Sequence, residues 1–137
     1  NKFGKYVFTI KGGKAVSVNM TLKDGTSYEG DVKNGKLNGE AHIQYKNGDT
    51  YEGNVKNGFK SGRGEYKWKN GADYDGKWNK DQMNGQGTYS YPSKSKGESL
   101  TGKFKNGKPY GTCTYVTNQN GVYKTKWKNG RCIKVSK

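Results

Sequence analysis

Apolar and polar residues alternate with a period of two through most of the chain. Tyr51, Gly53 and Val55 fall on one side of such a stretch, and Thr50, Glu52, Asn54 and Lys56 on the other. The stretch that follows repeats the pattern. Gly64, Tyr66 and Trp68 share one side, and Arg63, Glu65, Lys67 and Lys69 share the opposite one. Period two with one ring-bearing and one charged side predicts β-strands in an antiparallel sheet. The glycine density and the absence of a 3.6-residue period argue against helix. The expectation is an all-β chain of about a dozen short strands.

The alternation is itself repeated. Gly48–Asn70 reads GDTYEGNVKNGFKSGRGEYKWKN, and Gly71 restarts the pattern 23 residues after Gly48. Units fall near 25–47, 48–70, 71–96, 97–120 and 121–137. Gly30 to Gly39, Gly53 to Gly62, Gly76 to Gly85 and Gly102 to Gly111 are each nine apart. The fourth unit carries Leu100 where others have tyrosine and Cys113 where others have glycine; the fifth has Thr125 for glycine. The third has about three extra residues around Pro92–Lys96, expected to bulge as a loop after Tyr91. Residues 1–24 lack the paired glycines. They read as a capping hairpin or degenerate repeat, turning at Gly12-Gly13.

The core pattern, Tyr51-x-Gly53 followed by Gly62-x-Gly64 and the aromatics Tyr66 and Trp68, resembles the MORN (membrane occupation and recognition nexus) repeat. Five in-phase copies carry the resemblance, from about Gly25 to Lys137. It implies one elongated, twisted meander sheet of tandem hairpins. It also brings in membrane association, phospholipid binding and protein–protein interaction as expected roles, since family members occur in membrane-junction proteins, in plant lipid kinases and in bacterial proteins. The family's activities are diverse, so the fold alone leaves the activity open.

Composition first raises the question of disorder, because only 28% of residues are hydrophobic. The 13% that are aromatic, eleven of them tyrosine, settle it towards order, since disordered chains are poor in aromatics. No apolar run reaches the ~18 residues of a membrane-spanning helix. The chain starts at Asn1, which leaves open a targeting or anchoring segment upstream.

A register can be inferred from the linking loop, with the charges in support. A three-residue loop Asn70-Gly71-Ala72 would set Trp68 opposite Tyr74, Tyr66 opposite Gly76 and Gly64 opposite Trp78. Each key glycine would then lie beneath a ring from the neighbouring strand. On the other side Glu65 would oppose Lys77, Lys67 would oppose Asp75, and Lys69 would oppose Asp73.

Catalytic chemistry is hard to assemble. His42 is the single histidine, on the charged side, and reads as solvated. Neither a Ser/His/Asp set nor a metal-ligand cluster is present, and the Gly-x-Gly pairs precede no helix. The chain is expected to be non-enzymatic, without cofactor or metal. Cys113 and Cys132 are expected to be free thiols on the ring side, both near Trp127 and two strand spacings apart.

Charge narrows the function. Twenty-six Lys and Arg against 11 Asp and Glu leave +15, beyond ordinary surface design. The leading expectation is a peripheral module that binds an anionic membrane or cell-surface polyanion through Lys103, Lys105, Lys124, Lys126 and Lys128. The alternative is a protein-interaction or self-association scaffold that uses the rings of Tyr51, Tyr66, Trp68, Tyr74, Trp78 and Tyr89. Nucleic acid is disfavoured because rings and lysines fall on opposite sides.

Overall fold

Asn-Gly pairs close most of the hairpins. Asn34-Gly35, Asn57-Gly58, Asn106-Gly107 and Asn129-Gly130 all have positive φ at both residues. This is the two-residue turn whose twist matches that of paired strands. In a computed structural model describing residues 3–92 and 97–137, these four turns and the other connections link twelve strands. They are β1 (Phe3–Lys11), β2 (Lys14–Leu22), β3 (Ser27–Lys33), β4 (Lys36–Gln44), β5 (Thr50–Lys56), β6 (Phe59–Lys67), β7 (Asp73–Asn79), β8 (Gln82–Ser90), β9 (Ser99–Lys105), β10 (Lys108–Val116), β11 (Val122–Lys128) and β12 (Arg131–Ser136). All lie in one antiparallel sheet in sequence order, as expected for a meander of hairpins. The first hairpin turns at Gly12-Gly13, as the sequence indicates. Of the expected loop at Pro92–Lys96, residues 93–96 lie outside the described residues.

The register differs by two residues from the one inferred from the loop at Gly71. Tyr66 pairs with Tyr74, Gly64 with Gly76 and Gly62 with Trp78. The cause is the loop. Its three residues are Lys69, Asn70 and Gly71, not Asn70 to Ala72, because Trp68 N–H bonds to Ala72 C=O at 2.9 Å and Gly71 N–H to Trp68 C=O at 3.0 Å. Gly71 must come last in the loop, where φ is +95° after a type I turn. Sliding the loop by one residue moves the pairing by two, so each side chain keeps its face and changes its partner. The expected Glu65–Lys77, Lys67–Asp75 and Lys69–Asp73 pairs do not form. Glu65 opposes Asp75, Arg63 opposes Lys77 and Lys67 opposes Asp73.

The true register lines up the glycines. Gly53, Gly64, Gly76, Gly87 and Gly102 occupy successive partner positions, forming a bare lane across β5–β9. Rings lie over this lane diagonally, from a row two residues away, and not from directly opposite. A Cβ on Gly64 or Gly87 would stand 2.1 or 2.3 Å from the hydroxyl of Tyr51 or Tyr74. Those hydroxyls donate to the carbonyls of Asn54 (2.6 Å) and Lys77 (3.0 Å), and Trp78 Nε1 donates to Gly64 C=O at 3.0 Å. Edge-on contacts then chain the rings along the sheet: Tyr51 to Trp78 (5.6 Å), Trp78 to Tyr74 (5.2 Å) and Tyr74 to Phe104 (5.0 Å). A single sheet thereby builds a core on one face, with Tyr51 and Tyr74 wholly buried.

Units that lack the glycine show why it is needed. In the fourth, Cys113 stands in the lane and is buried, and Leu100 replaces the tyrosine above it. In the first, Ala41 stands there, and the buried hydroxyl of Tyr28 has no hydrogen-bond partner among the described residues.

Candidate functional site

The face opposite the rings is divided by charge. Strands β3–β7 carry Glu29, Asp31, Glu40, Glu52, Glu65, Asp73 and Asp75, seven of the eleven acidic residues of the chain. Glu52, Glu65 and Asp75 are direct cross-strand neighbours. His42 is exposed in the same row, with Nδ1 3.9 Å from the Glu52 carboxylate. Asp73 is pushed up to about 7, chiefly by burial, then by the hydrogen bond its protonated carboxyl donates to Glu65 and by the charge of Glu65.

Strands β9–β12 contain no acidic residue at all. The turns place their cations side by side. Lys105 opposes Lys108, Lys126 opposes both Thr112 and Lys134, Lys124 opposes Thr114, and Lys128 opposes Arg131. Lys103, Lys105, Lys124, Lys126 and Lys128 are all exposed on this face, as the sequence places them. Among the described residues none of the five has an ion pair; the acid–base pairs are His42–Glu52, Lys60–Asp81 and Arg63–Asp75. The lysines expected to be paired in the central units have other neighbours. Lys67 has Asp73 opposite, but Lys77 faces Arg63, and the side chain of Lys69 packs against Gly48.

The ring face is far more closed than the sequence suggests. Tyr51, Tyr74 and Trp78 are buried, so of the six expected rings only Tyr66, Trp68 and Tyr89 reach solvent, each in part. Tyr66 and Trp68 meet at a tilt with ring centroids 4.7 Å apart, and Trp68 meets Tyr89 edge-on at 5.6 Å. Tyr66 is further committed. Its hydroxyl donates to Asp49 at 2.6 Å, and Lys69 N–H donates to the same buried carboxylate at 2.8 Å. Burial raises the Asp49 carboxyl, but hydrogen bonds from Tyr66, Lys69 and Asn47 outweigh it and hold the group below its ordinary value.

An open apolar groove lies on the last strands of the array. Tyr91, Tyr115, Tyr123, Trp127, Cys132 and Val135 line a groove of about 410 Å³. The two cysteines are free, as expected. Cys132 opposes Trp127, as expected, and is exposed, whereas Cys113 pairs with Thr125 instead of Trp127 and is buried. Sequence reading missed this groove, because its lining comes from the residue just after β8 and from β10, β11 and β12, which only the sheet brings together. It also missed Tyr110, the ring on the lysine face. The signal was visible: Asn38, Ser61 and Asn84 hold the corresponding place in the other units.

Twelve hairpin strands with a glycine lane, a ring-filled face and a charged face define a tandem-repeat β-array whose broad surfaces are suited to binding. The MORN repeat family matches residues 28–50, 51–72 and 74–96, and the chain belongs to the MORN-repeat proteins. The fourth and fifth units continue the same hairpin geometry beyond the matched residues. Comparison with curated proteins yields no match. MORN repeats are membrane- and protein-interaction modules rather than a catalytic family.

Proposed function

We propose that the chain is a non-enzymatic module that docks on an anionic membrane or cell-surface polyanion through the lysine face of β9–β12. The observation that carries this reading is the segregation of charge. Eight cations, Lys103, Lys105, Lys108, Lys124, Lys126, Lys128, Arg131 and Lys134, share strands that hold no carboxylate. Near an anionic surface each contributes on the order of 1 kcal/mol. The acidic row on β3–β7 orients the encounter, since it repels the surface that the other end attracts.

Changing Lys103, Lys105, Lys124, Lys126 and Lys128 to glutamine should abolish co-sedimentation with anionic vesicles. Changing Lys33, Lys36, Lys56, Lys67 and Lys77 removes the same charge from the acidic end and should cost far less. Binding should also weaken as salt shortens the Debye length from about 10 Å at 0.1 M to about 3 Å at 1 M. Equal losses from the two sets would reduce the reading to net charge.

The groove beside Trp127 favours a second reading, a protein-interaction scaffold. That interaction would persist in high salt, because its lining is apolar.

A further inference from the structure

Tyr110 departs from the repeat in a way that the lysine count does not explain. Its place immediately before Gly111 corresponds to Asn38, Ser61 and Asn84, which are polar and only partly exposed. Tyr110 is 52% exposed. It faces Lys103 across β9, at the bulge where β10 departs from regular pairing, and so stands on the charged side of the sheet. The Lys105 ammonium lies 5.5 Å from its ring centroid. Two open concavities flank it. One, of about 480 Å³, is edged by Lys103 and the hydroxyls of Thr101, Thr112 and Thr114. The other, of about 380 Å³, is edged by Lys105 and Lys108.

An exposed amphipathic ring among unpaired ammonium groups is suited to the boundary between headgroups and acyl chains. Ring and methylene stems meet apolar material, while hydroxyl and ammonium groups stay in the polar layer. Both concavities open on the exposed lysine face, where a headgroup carried by a larger surface can reach them. We infer that Tyr110 is the anchoring residue of the basic face. It seats in an anionic bilayer beside the phosphodiester of a lipid headgroup, which takes its hydrogen bonds from Lys103 and the neighbouring threonine hydroxyls. This rests on the membrane form of the reading above and adds a residue-specific contact to a diffuse attraction.

The test uses the full chain and phosphatidylcholine vesicles containing phosphatidylglycerol. Tyr110→Asn installs the residue of two other units at an exposed position, so the melting temperature should not move. Vesicle affinity should fall about fivefold, the equivalent of losing burial of half a ring, while the salt slope stays that of the parent. Tyr110→Trp should restore affinity. Soluble glycerol phosphate should not displace the protein. Unchanged affinity of Tyr110→Asn, with loss in the five-lysine variant, would overturn the anchor and leave the charged face standing. Unchanged affinity in both variants would remove the membrane reading as well. Displacement by soluble glycerol phosphate would overturn the bilayer as occupant.

Discussion

The ammonium of Lys60, on β6, sits 3.3 Å from the Asp81 carboxylate, in the turn joining β7 to β8. Both residues break the repeat. Lys60 holds a place that is Leu37, Met83 or Pro109 in other units, and Asp81 stands where those turns have glycine. Asp81 has φ +70°, which a residue with a Cβ tolerates poorly. Its carboxylate is held by Lys60 twice, by the backbone N–H at 2.7 Å and by the ammonium. The ammonium in turn lies between 5.3 and 5.9 Å from the ring centroids of Tyr45, Tyr51, Tyr66 and Trp78. One departure stabilises the other.

Lys60→Ala should therefore lower stability by about 2 kcal/mol, through lost packing of the stem and lost cation–ring attraction. Lys60→Met combined with Asp81→Gly restores the arrangement of the third and fourth units and should recover most of that loss. Urea titration of the three proteins checks this. If Lys60→Ala were neutral, the caged ammonium would contribute nothing.

Glycine 64 is a steric requirement. An added methyl would meet the Tyr51 hydroxyl at 2.1 Å and its ring carbons at 2.5–2.6 Å. Tyr51 has no room to retreat, being buried against Trp78. Gly64→Ala should cost about 3 kcal/mol, at the upper end for overpacking. Adding Tyr51→Leu, the combination used at Leu100 and Cys113, should give part of it back. Thermal melts of single and double variants decide whether the two positions are coupled.

Asp49 joins the loop before β5 to the end of the next hairpin through Tyr66 and Lys69. Asp49→Ala leaves a tyrosine hydroxyl and a backbone N–H without their charged acceptor. The expected cost is about 3 kcal/mol. The folded-state pKa is depressed, so the contribution is present above the ordinary value of 3.8 and is lost as pH falls through the folded value. The parent should lose stability faster than Asp49→Ala below about pH 4, so the gap between them should close in acid-titration melts.

Asp73 works in the opposite direction. Its folded-state pKa of about 7 lies above the ordinary 3.8, so folding favours the protonated form. That contribution is full below about pH 4 and is lost as pH rises through 7. Asp73→Asn should melt higher than the parent at pH 8, and the difference should shrink steadily towards pH 4. Differential scanning calorimetry across this range reads the effect directly. A constant offset would show that Glu65 and Asp73 do not share a proton.

The repeat period, the strand faces, the meander and the placement of the five C-terminal lysines were all legible in the chain. They follow from local rules: alternation assigns a face, and in-phase glycines mark the units. Partnership was not legible. Which residue opposes Tyr66 depends on whether the linking loop begins at Asn70 or at Lys69, and both choices preserve every face. Only backbone hydrogen bonding at Trp68 and Ala72 decides it. That two-residue slide replaces the expected Glu65–Lys77 ion pair with Glu65 against Asp75, which extends the acidic row from Glu52, and replaces glycines set opposite rings with a glycine lane. The accessibility of the rings was equally a tertiary matter. Tyr51 and Tyr74 look like parts of an exposed patch on one face of the sheet, but the rings of Trp78 and Phe104 pack against them. Sequence assigned each side chain its face; contacts across strands chose its neighbour and whether water reaches it.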